Sequence, residues 1–328
     1  MHSGDERIPA FAGMTEAQVA RFRTDFERAA DGQPRGLIAL AVSGGPDSMA
    51  MLALAATAYP GLVVAATVDH GLRPESADEA RMVAGACAAI GVPHATLRIA
   101  VPRDGNLHGW ARRERYALLI DWAAEAGAVA LCTAHHADDQ AETFLMRAAR
   151  ASGLSGLAGV RARNDGPVPV VRPLLSWRRA ELRGVAKKAA LPFVDDPSNE
   201  DPRFDRTRFR RWLQQAPWID PPRIARSAEY LAEAEADLRA VAEWLWIARA
   251  LAAPEGEVRI DVTDLPRGVR RYLARLAIET ISGEAIQDGI EALLDALESG
   301  KGATRAGIQA SAKGVIWHFR KAPPRRSN

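Results

Sequence analysis

The stretch that decides the fold reads Leu37-Ile38-Ala39-Leu40-Ala41-Val42-Ser43-Gly44-Gly45-Pro46-Asp47-Ser48. Its apolar half has the length and composition of a buried parallel strand. Strong helix formers occupy residues 49–55, so the glycine-rich half joins a strand to the start of a helix. Backbone N–H groups and the helix dipole converge at such a turn, and both favour an anion. We therefore predict that residues 43–48 form a phosphate cradle.

The residues of this turn have separate predicted roles. Gly44 and Gly45 allow a left-handed backbone and the close approach of a ligand, and the Ser43 and Ser48 hydroxyls add donors. The Asp47 carboxylate would repel phosphate, so we interpret it as a ligand of Mg²⁺. The turn matches neither G-x-x-x-x-G-K-[ST] nor G-x-G-x-x-G, so a P-loop and a dinucleotide fingerprint are both unsupported. An ordinary glycine-rich turn is the alternative.

Length and composition are those of a globular protein of about two domains, with 328 residues, of which 48% are hydrophobic and 26% charged. No apolar run reaches about 18 residues and the first residues lack the apolar core of a signal peptide, so we expect no membrane partner. Cys87 and Cys132, the only cysteines, have apolar neighbours, which favours buried thiols in a cytoplasmic protein. The net charge of +2 means that a nucleic acid would need a local basic patch.

Strand and helix patterns alternate along the first two-thirds of the chain. Strands are predicted at 37–42, 62–68, 95–101 and 128–133, and helices at about 16–30, 47–58, 76–90, 109–126 and 138–150. This order predicts an α/β fold with a doubly wound parallel sheet and a ligand site beyond the carboxyl ends of the strands. A shorter strand at 168–172 and a helix at about 176–190 follow, after a glycine-rich stretch at 152–159 that we expect to be a mobile loop over the site.

The remaining sequence predicts a second, smaller domain. Helical spacing from 224 to 251, two more helices at about 264–281 and 284–298, and a hairpin pattern at 307–320 predict a helical region followed by a small α+β domain. We therefore expect a disordered segment at 1–14, with Met14 as an alternative start, a catalytic domain at 15–216, and a helical linker with a small tRNA-binding domain at 217–328. The sequence leaves open whether the chain forms a homodimer.

Polar side chains follow two further strands of the predicted sheet. Asp69 and His70 end the second strand and could contact a ribose, a base or a metal, or could form a capping turn. Asp138, Asp139 and Glu142 follow the fourth strand at helical spacing. Carboxylates beside a phosphate cradle repel it by roughly 4 kcal/mol per close pair at an effective dielectric constant of about 20. This favours Mg²⁺ or a cationic substrate such as an amine, and a solvated acidic helix face is the alternative.

Two groups of arginines complete the candidate site. Arg112 and Arg115 share one helix face and could stabilise charge on a transferring phosphate, or could lie on a surface helix beside Glu114. Five arginines with interleaved aromatic residues form the strongest nucleic-acid pattern, although a solvated charged face is the alternative. They are Arg203, Arg206, Arg208, Arg210 and Arg211.

Together these motifs resemble a known family. The Ser-Gly-Gly-x-Asp-Ser turn is similar to the PP-loop of ATP pyrophosphatases, a Rossmann-like group. The motifs of residues 69–73, 111–116, 135–143, 172–175 and 196–199, in this order, narrow the resemblance to the tRNA(Ile)-lysidine synthases. The resemblance is specific over about residues 35–212. Thr207 departs from it, because the family often has asparagine there.

The resemblance implies a two-step reaction. ATP adenylates the C2 oxygen of the wobble cytidine, position 34, in tRNA(Ile) with anticodon CAU, and pyrophosphate leaves. The ε-amine of free L-lysine then attacks C2 and expels AMP. ATP and Mg²⁺ are the implied cofactors, and the implied reaction class is a ligase that forms a carbon–nitrogen bond.

The motifs and the resemblance together assign roles to individual residues. ATP is expected at Ser43, Gly44, Gly45, Pro46, Asp47, Ser48, Asp69 and His70, and Mg²⁺ at Asp47, Asp138 and Asp139. Arg112 is expected to stabilise the adenylation transition state. Asp139 and Glu142 are expected to receive the lysine ammonium or the metal, or to deprotonate the amine.

Three other functions remain open on sequence grounds. A PP-loop tRNA thiolase usually needs paired cysteines, which Cys87 and Cys132 do not form. A small-molecule amidating ligase would leave the arginine patch unexplained. A tRNA-binding adaptor without catalysis would not need Asp47, Arg112, Asp139 and Glu142.

Overall fold

The computed structural model describes residues 13–69, 71, 75–99, 107–195, 205–284 and 289–323, with the backbone alone at 75 and 107–111. His70, Arg203, the motif at 196–199 and most of the predicted segment at 1–14 lie outside the described residues. Contacts divide the chain into one unit that ends at Leu231 and a second that begins at Ala232. The domain limits expected at 15–216 and 217–328 stay predictions.

The first unit contains a six-stranded sheet. Its strands are β1 (Leu37–Ala41), β2 (Val63–Asp69), β3 (His94–Arg98), β4 (Ala128–Cys132), β5 (Arg163–Asn164) and β6 (Val170–Val171). They lie in the order β3-β2-β1-β4-β6-β5. Every neighbouring pair is parallel except β5 with β6. The predicted α/β fold class is therefore confirmed.

Helices of the first unit follow the strands. They are α1 (Glu16–Ala30), α2 (Pro46–Ala58), α3 (Glu75–Ala89), α4 (Leu107–Glu125), α5 (Ala137–Ala148), α6 (Leu154–Leu157), α7 (Arg179–Lys188) and α8 (Asp205–Gln215), and α9 (Pro221–Arg249) begins in the first unit and ends in the second. Along α2 almost every residue is buried, as expected for a helix that is apolar all round.

The apolar run of β1 is continuous because both faces of the sheet are covered. Ile38 and Leu40 pack into a core with residues of α1, α2 and α7. Ala39, on the opposite face, packs with Leu119 and Ala123 of α4. A parallel strand that is buried on both faces does not alternate between polar and apolar residues, and residues 37–42 have this continuous apolar pattern.

The order of the strands defines where a ligand site is expected. β1 pairs with β2 on one side and with β4 on the other, so the chain reverses its direction of winding between β1 and β4. A crevice forms beyond the carboxyl ends of the strands at such a switch point. The turn at residues 43–48 follows β1, and the turn at 133–136 follows β4, so both border this crevice.

The glycine-rich stretch at 152–159, expected to be a mobile loop over the site, contains the four-residue helix α6, and its mobility stays a prediction. The Gln140 side chain donates to the Val160 carbonyl and accepts from the Val160 N–H, both at 2.7 Å. Arg147 donates to the carbonyls of Gly156 at 2.7 Å and Gly159 at 3.1 Å. These side chains of α5 tie the stretch to the helix that precedes it.

The second unit is an antiparallel sheet with two helices of its own. Its elements are β7 (Ala250–Leu251), β8 (Glu257–Asp261), α10 (Arg267–Ser282), α11 (Ile290–Glu298), β9 (Ala303–Arg305), β10 (Ile308–Lys313) and β11 (Ile316–Lys321). The strand order is β7-β8-β11-β10-β9, and β10 with β11 forms the predicted hairpin. Across both units, no helix in the described part of the chain has the length and apolar character needed to cross a membrane.

Candidate active site

A cavity of about 1050 Å³ lies at the carboxyl ends of β1, β2 and β4. Among the described residues that line it, seven are arginines and four are acidic. The arginines are Arg112, Arg115, Arg179, Arg183, Arg206, Arg210 and Arg211, and the acids are Asp47, Glu79, Asp139 and Asp195. This excess of positive charge favours a ligand that carries several negative charges.

The turn at residues 43–48 lines this cavity and is closed by its own serines. The Ser43 N–H donates to the Ser48 hydroxyl at 3.1 Å, and that hydroxyl donates to the Gly45 carbonyl at 3.0 Å. Gly44 has a φ of +86°, and Gly45 caps α2 with Pro46 in its first turn. The N–H groups of Gly44 and Gly45 have no acceptor in the described part of the chain. Free amides at a helix start are the donors that the predicted phosphate cradle requires.

Asp47 has one carboxylate oxygen that is buried without a hydrogen-bond partner among the described residues. Its other oxygen lies 3.4 Å from the His136 Nε2 atom. An orphaned buried oxygen beside a phosphate cradle fits a Mg²⁺ ligand. No cluster of three or more His, Cys, Asp or Glu side chains suited to a metal occurs in the described ranges. A Mg²⁺ ion at Asp47 would therefore depend on phosphate oxygens and water for most of its ligands, which is its usual mode of binding.

His136 connects the two turns that border the crevice, and the sequence did not single it out for a role. It is buried at the N-cap of α5, where its Nδ1 atom accepts from the Asp139 N–H at 3.3 Å. The Asp139 carboxylate accepts in return from the His136 N–H at 3.2 Å. Burial lowers the pKa of His136, but Asp139 and the bond to Asp47 outweigh burial, so the pKa is raised. The signal in the sequence is the capping position three residues before Asp139.

The Asp138 carboxylate is hydrogen-bonded to the start of α7. Its carboxylate accepts from the Arg179 backbone N–H at 2.8 Å and from the Arg178 guanidinium at 3.2 Å. Burial raises the pKa of Asp138, but these two bonds outweigh it and the pKa is lowered. Asp138 therefore fixes the position of α7, and its predicted role as a metal ligand stays a prediction.

Asp139 and Glu142 are held by arginines of α7 and α8. Arg206 lies 2.8 Å from both carboxylates, Arg210 lies 2.8 Å from Glu142, and Arg179 lies 3.3 Å from Glu142. Only 1% of the Glu142 surface is exposed. Burial raises the pKa of Asp139, but His136 and Arg206 outweigh burial and lower it to about 2. Asp139 is therefore charged, and both carboxyl groups are paired with arginines in the same buried cluster.

This cluster changes how two sequence interpretations are understood. Arg206 and Arg210, predicted to contact nucleic acid, turn their guanidinium groups toward the carboxylates of α5. The repulsion argument for Mg²⁺ at Asp139 also weakens, because arginines already balance that charge. Of the other predicted nucleic-acid residues, Arg208 pairs with Asp205 at 3.5 Å and Arg211 lines the cavity.

Arg112 and Arg115 differ from the arginines of α8. Their guanidinium groups lie 5.4 and 5.8 Å from the Tyr116 ring centroid, and neither forms an ion pair with a described carboxylate. Burial lowers the pKa of Arg115. The Nδ1 atom of the neighbouring His135 and the Thr133 hydroxyl share a hydrogen bond of 3.0 Å, and burial lowers the pKa of His135 to about 3. The positive charge on this side of the cavity is therefore available to a ligand.

Asp69 forms the capping turn that was its alternative interpretation. Its Oδ1 atom accepts from the Gly71 N–H at 2.9 Å and from the Ser76 hydroxyl at 2.6 Å. Ser76 lines the cavity. The expected contact of Asp69 with nucleotide stays a prediction.

Comparison with known proteins agrees with this geometry. Residues 15–216 match a family model described as a PP-loop domain, so the chain is a PP-loop protein. It is 44% identical to a tRNA(Ile)-lysidine synthase of Zymomonas mobilis subsp. mobilis over 89% of this chain and 90% of the relative. It is 43% identical to that of Novosphingobium aromaticivorans over 94% of this chain and 95% of the relative. The chain belongs to the tRNA(Ile)-lysidine synthase family, and it is a ligase of tRNA processing with an ATP-binding domain.

A solved structure shows how widely the fold is shared. The U34-tRNA thiolase of Methanococcus maripaludis, described with its [4Fe-4S] cluster, has a TM-score of 0.57 and 18% identity. The match covers 66% of this chain and 78% of the thiolase. At this identity the likeness concerns the fold of the PP-loop unit and not its chemistry.

Proposed function

We propose that the protein joins free L-lysine to C2 of the wobble cytidine in tRNA(Ile) with anticodon CAU, and converts ATP to AMP and pyrophosphate. The observation that carries the proposal is the turn at 43–48, whose free Gly44 and Gly45 amides face an arginine-rich cavity. The family membership supports ATP and a tRNA as substrates, and the cavity has groups suited to phosphates and to an ammonium group.

The adenylation step uses the side of the cavity that bears free positive charge. The cytidine O2 atom attacks the α-phosphorus of ATP, the bond between that phosphorus and the bridging oxygen breaks, and pyrophosphate leaves. The amides of residues 43–48 hold the phosphates, and Mg²⁺ at Asp47 supplies charge neutralisation when it is bound. Arg112 and Arg115 stabilise the charge that develops, since no described carboxylate competes for them.

The lysine step uses the carboxylates of α5. The ε-ammonium group gives a proton to solvent water, the neutral amine forms the bond to C2, and the bond between C2 and the adenylate oxygen breaks so that AMP leaves. Asp139, with a pKa of about 2, and His135, with a pKa of about 3, are both weak bases. We therefore assign Asp139 and Glu142 to binding and orienting the ammonium group. This requires lysine to displace part of the Arg206 contact.

The tRNA reaches the cavity past α8. Arg211 and Gln214 line the cavity, and Trp212 beside them is 46% exposed. Trp218, in the turn after α8, is 79% exposed. Exposed indoles next to arginines suit unstacked bases of an RNA loop, and a base in such a loop costs little to extrude.

The decisive experiment mixes the purified protein with ATP, Mg²⁺, labelled lysine and transcribed tRNA(Ile) bearing CAU. Label in the tRNA that depends on ATP and disappears when cytidine 34 is changed to uridine is the expected result. Absence of label with intact tRNA would reject the proposal, and tRNA binding without label would favour the adaptor.

The thiolase alternative is weakened by the cysteines. Cys87 and Cys132 are the only two in the sequence, and both are fully buried. An iron–sulfur cluster of the usual type has four cysteine ligands. Sulfur incorporation into the tRNA in place of lysine would restore this alternative.

A further inference from the structure

A short segment after α7 is bonded directly to the phosphate cradle. We call residues 191–195 the latch segment. The Val194 N–H donates to the Gly44 carbonyl at 3.0 Å, so the backbone of the latch segment is joined to the turn between β1 and α2. Val194 and Asp195 line the cavity together with residues 43–48. The latch segment is therefore part of the site and not a remote connection.

Arg183 of α7 contacts the residues on both sides of Val194, which are Phe193 and Asp195. Its two terminal nitrogens donate to the two Asp195 oxygens at 2.7 and 2.6 Å, which is a bidentate pair. Its guanidinium also lies 5.1 Å from the centroid of the Phe193 ring. Arg183 comes one helical turn after Arg179, which binds Glu142, so this face of α7 points into the cavity.

The pair lies within the electrostatic reach of the cradle. Arg183 lines the same cavity as Asp47. The bonds to Asp195 raise the pKa of Arg183, and the negative charge of Asp47 adds to this effect. A nucleotide that occupies the cradle would place its phosphates near the same guanidinium.

We propose that Arg183 is a further ligand of the ATP phosphates, and that Asp195 holds its guanidinium in position until the nucleotide arrives. The inference rests on the proposed function, because it takes ATP as the ligand of the cradle. Carboxylate and phosphate both offer an arginine two oxygens in the same geometry, so one bidentate pair replaces the other. The phosphates carry more negative charge than Asp195, which favours the exchange.

A purely structural brace would give a different result. If the pair only fixed the latch segment, Arg183→Gln and Asp195→Asn would break the same contact and weaken ATP binding alike. If Arg183 binds phosphate, the two substitutions act in opposite directions. Arg183→Gln removes a ligand, whereas Asp195→Asn removes a competitor and a negative charge from the cavity.

The test measures binding of α,β-methylene-ATP with Mg²⁺ by calorimetry, without tRNA or lysine. We expect Arg183→Gln to weaken binding about tenfold and Asp195→Asn to strengthen it about threefold. Both changes are modest because ATP must break the Arg183–Asp195 pair before it gains its own charged hydrogen bonds to Arg183. Arg183→Lys, which keeps the charge without the bidentate geometry, should fall between wild type and Arg183→Gln. Thermal unfolding of each variant reports whether the fold is intact.

A matched pair on α3 provides the control. Arg81 and Asp78 form an exposed ion pair that does not line the cavity, so Arg81→Gln and Asp78→Asn should leave binding unchanged. The inference is overturned if the wild-type protein binds the analogue and Arg183→Gln binds it equally well. It is also overturned if Arg183→Gln and Asp195→Asn weaken binding equally. Either result leaves the proposed function standing. Failure of the wild-type protein to bind the analogue would overturn both.

Discussion

Arg206 donates a 2.8 Å hydrogen bond to Glu142, a glutamate with 1% of its surface exposed. The two residues are 64 positions apart, and Arg210 and Arg179 approach the same carboxylate. A buried carboxylate surrounded by guanidinium groups is stable only while the charges match.

Replacement of Glu142 by glutamine should therefore destabilise the first unit. The expected loss is about 3 kcal/mol of unfolding free energy, which is the lower end of the range for a broken buried ion pair. We take the lower end because the Arg206 side chain is 38% exposed. Urea unfolding measures it. Glu229→Gln, which breaks an exposed pair with Arg226, is the control and should cost under about 1 kcal/mol. Equal effects of the two substitutions would contradict a buried cluster.

Replacement of Asp47 by asparagine should separate chemistry from stability. The substitution keeps the shape and an oxygen for the contact with His136, and it removes a charge whose other oxygen is buried without a described partner, so the thermal midpoint should change little. Pyrophosphate release should be lost, because the Mg²⁺ ion that neutralises the phosphates then lacks its carboxylate ligand. A variant that releases pyrophosphate at the wild-type rate would remove Asp47 from the site.

The glycines of two turns provide a matched comparison. Gly44 and Gly61 both have positive φ, at +86° and +76°. A Cβ at Gly44 would lie 3.2 Å from Met82, whereas nothing lies within 4 Å at Gly61. Each alanine variant should lose about 1 kcal/mol of stability through backbone strain. Only Gly44→Ala should also weaken ATP binding, and equal ATP affinities would show that the cradle does not need this conformation.

The arginines of α8 should divide into two groups. Arg208→Gln with Arg211→Gln should weaken tRNA binding and reduce its salt dependence by about 0.7–0.9 log unit per lost phosphate contact. Arg206→Gln should instead lower the rate of lysine incorporation, because Arg206 positions Asp139 and Glu142. Filter binding over a salt series and single-turnover assays distinguish the groups. A larger change in salt slope for Arg206→Gln would reverse this division.

The two cysteines should be slow to react with iodoacetamide in the native protein. Burial raises the pKa of Cys87 to about 11 and raises that of Cys132 as well, so little thiolate is present at pH 8. Both should react in denaturant, as mass spectrometry can show. Rapid native alkylation of either residue would reopen sulfur chemistry for this site.

The local features of the site could be predicted from sequence, because strand, turn and helix are encoded in neighbouring residues. The strand expected at 37–42 is β1, and the helix expected at 47–58 is α2. The pairing of Arg206 with Glu142 could not be predicted, since each residue fits a plausible role of its own and only the packing of α8 on α5 joins them. β8 was missed although its five residues alternate between polar and apolar, because the strand is short and its pairing partner in β11 comes some 60 positions later.

His136 has a consequence for how the two halves of the reaction are coordinated. One ring nitrogen faces the first turn of α2 and the other faces the first turn of α5. In the proposed reaction, the nucleotide and the amine would therefore be received by two helices whose first turns contact the same imidazole. In the proposed reaction, a shift of either helix start would reach its neighbour through one buried imidazole, so His136 would help to set the spacing between the activated phosphorus and the incoming nucleophile.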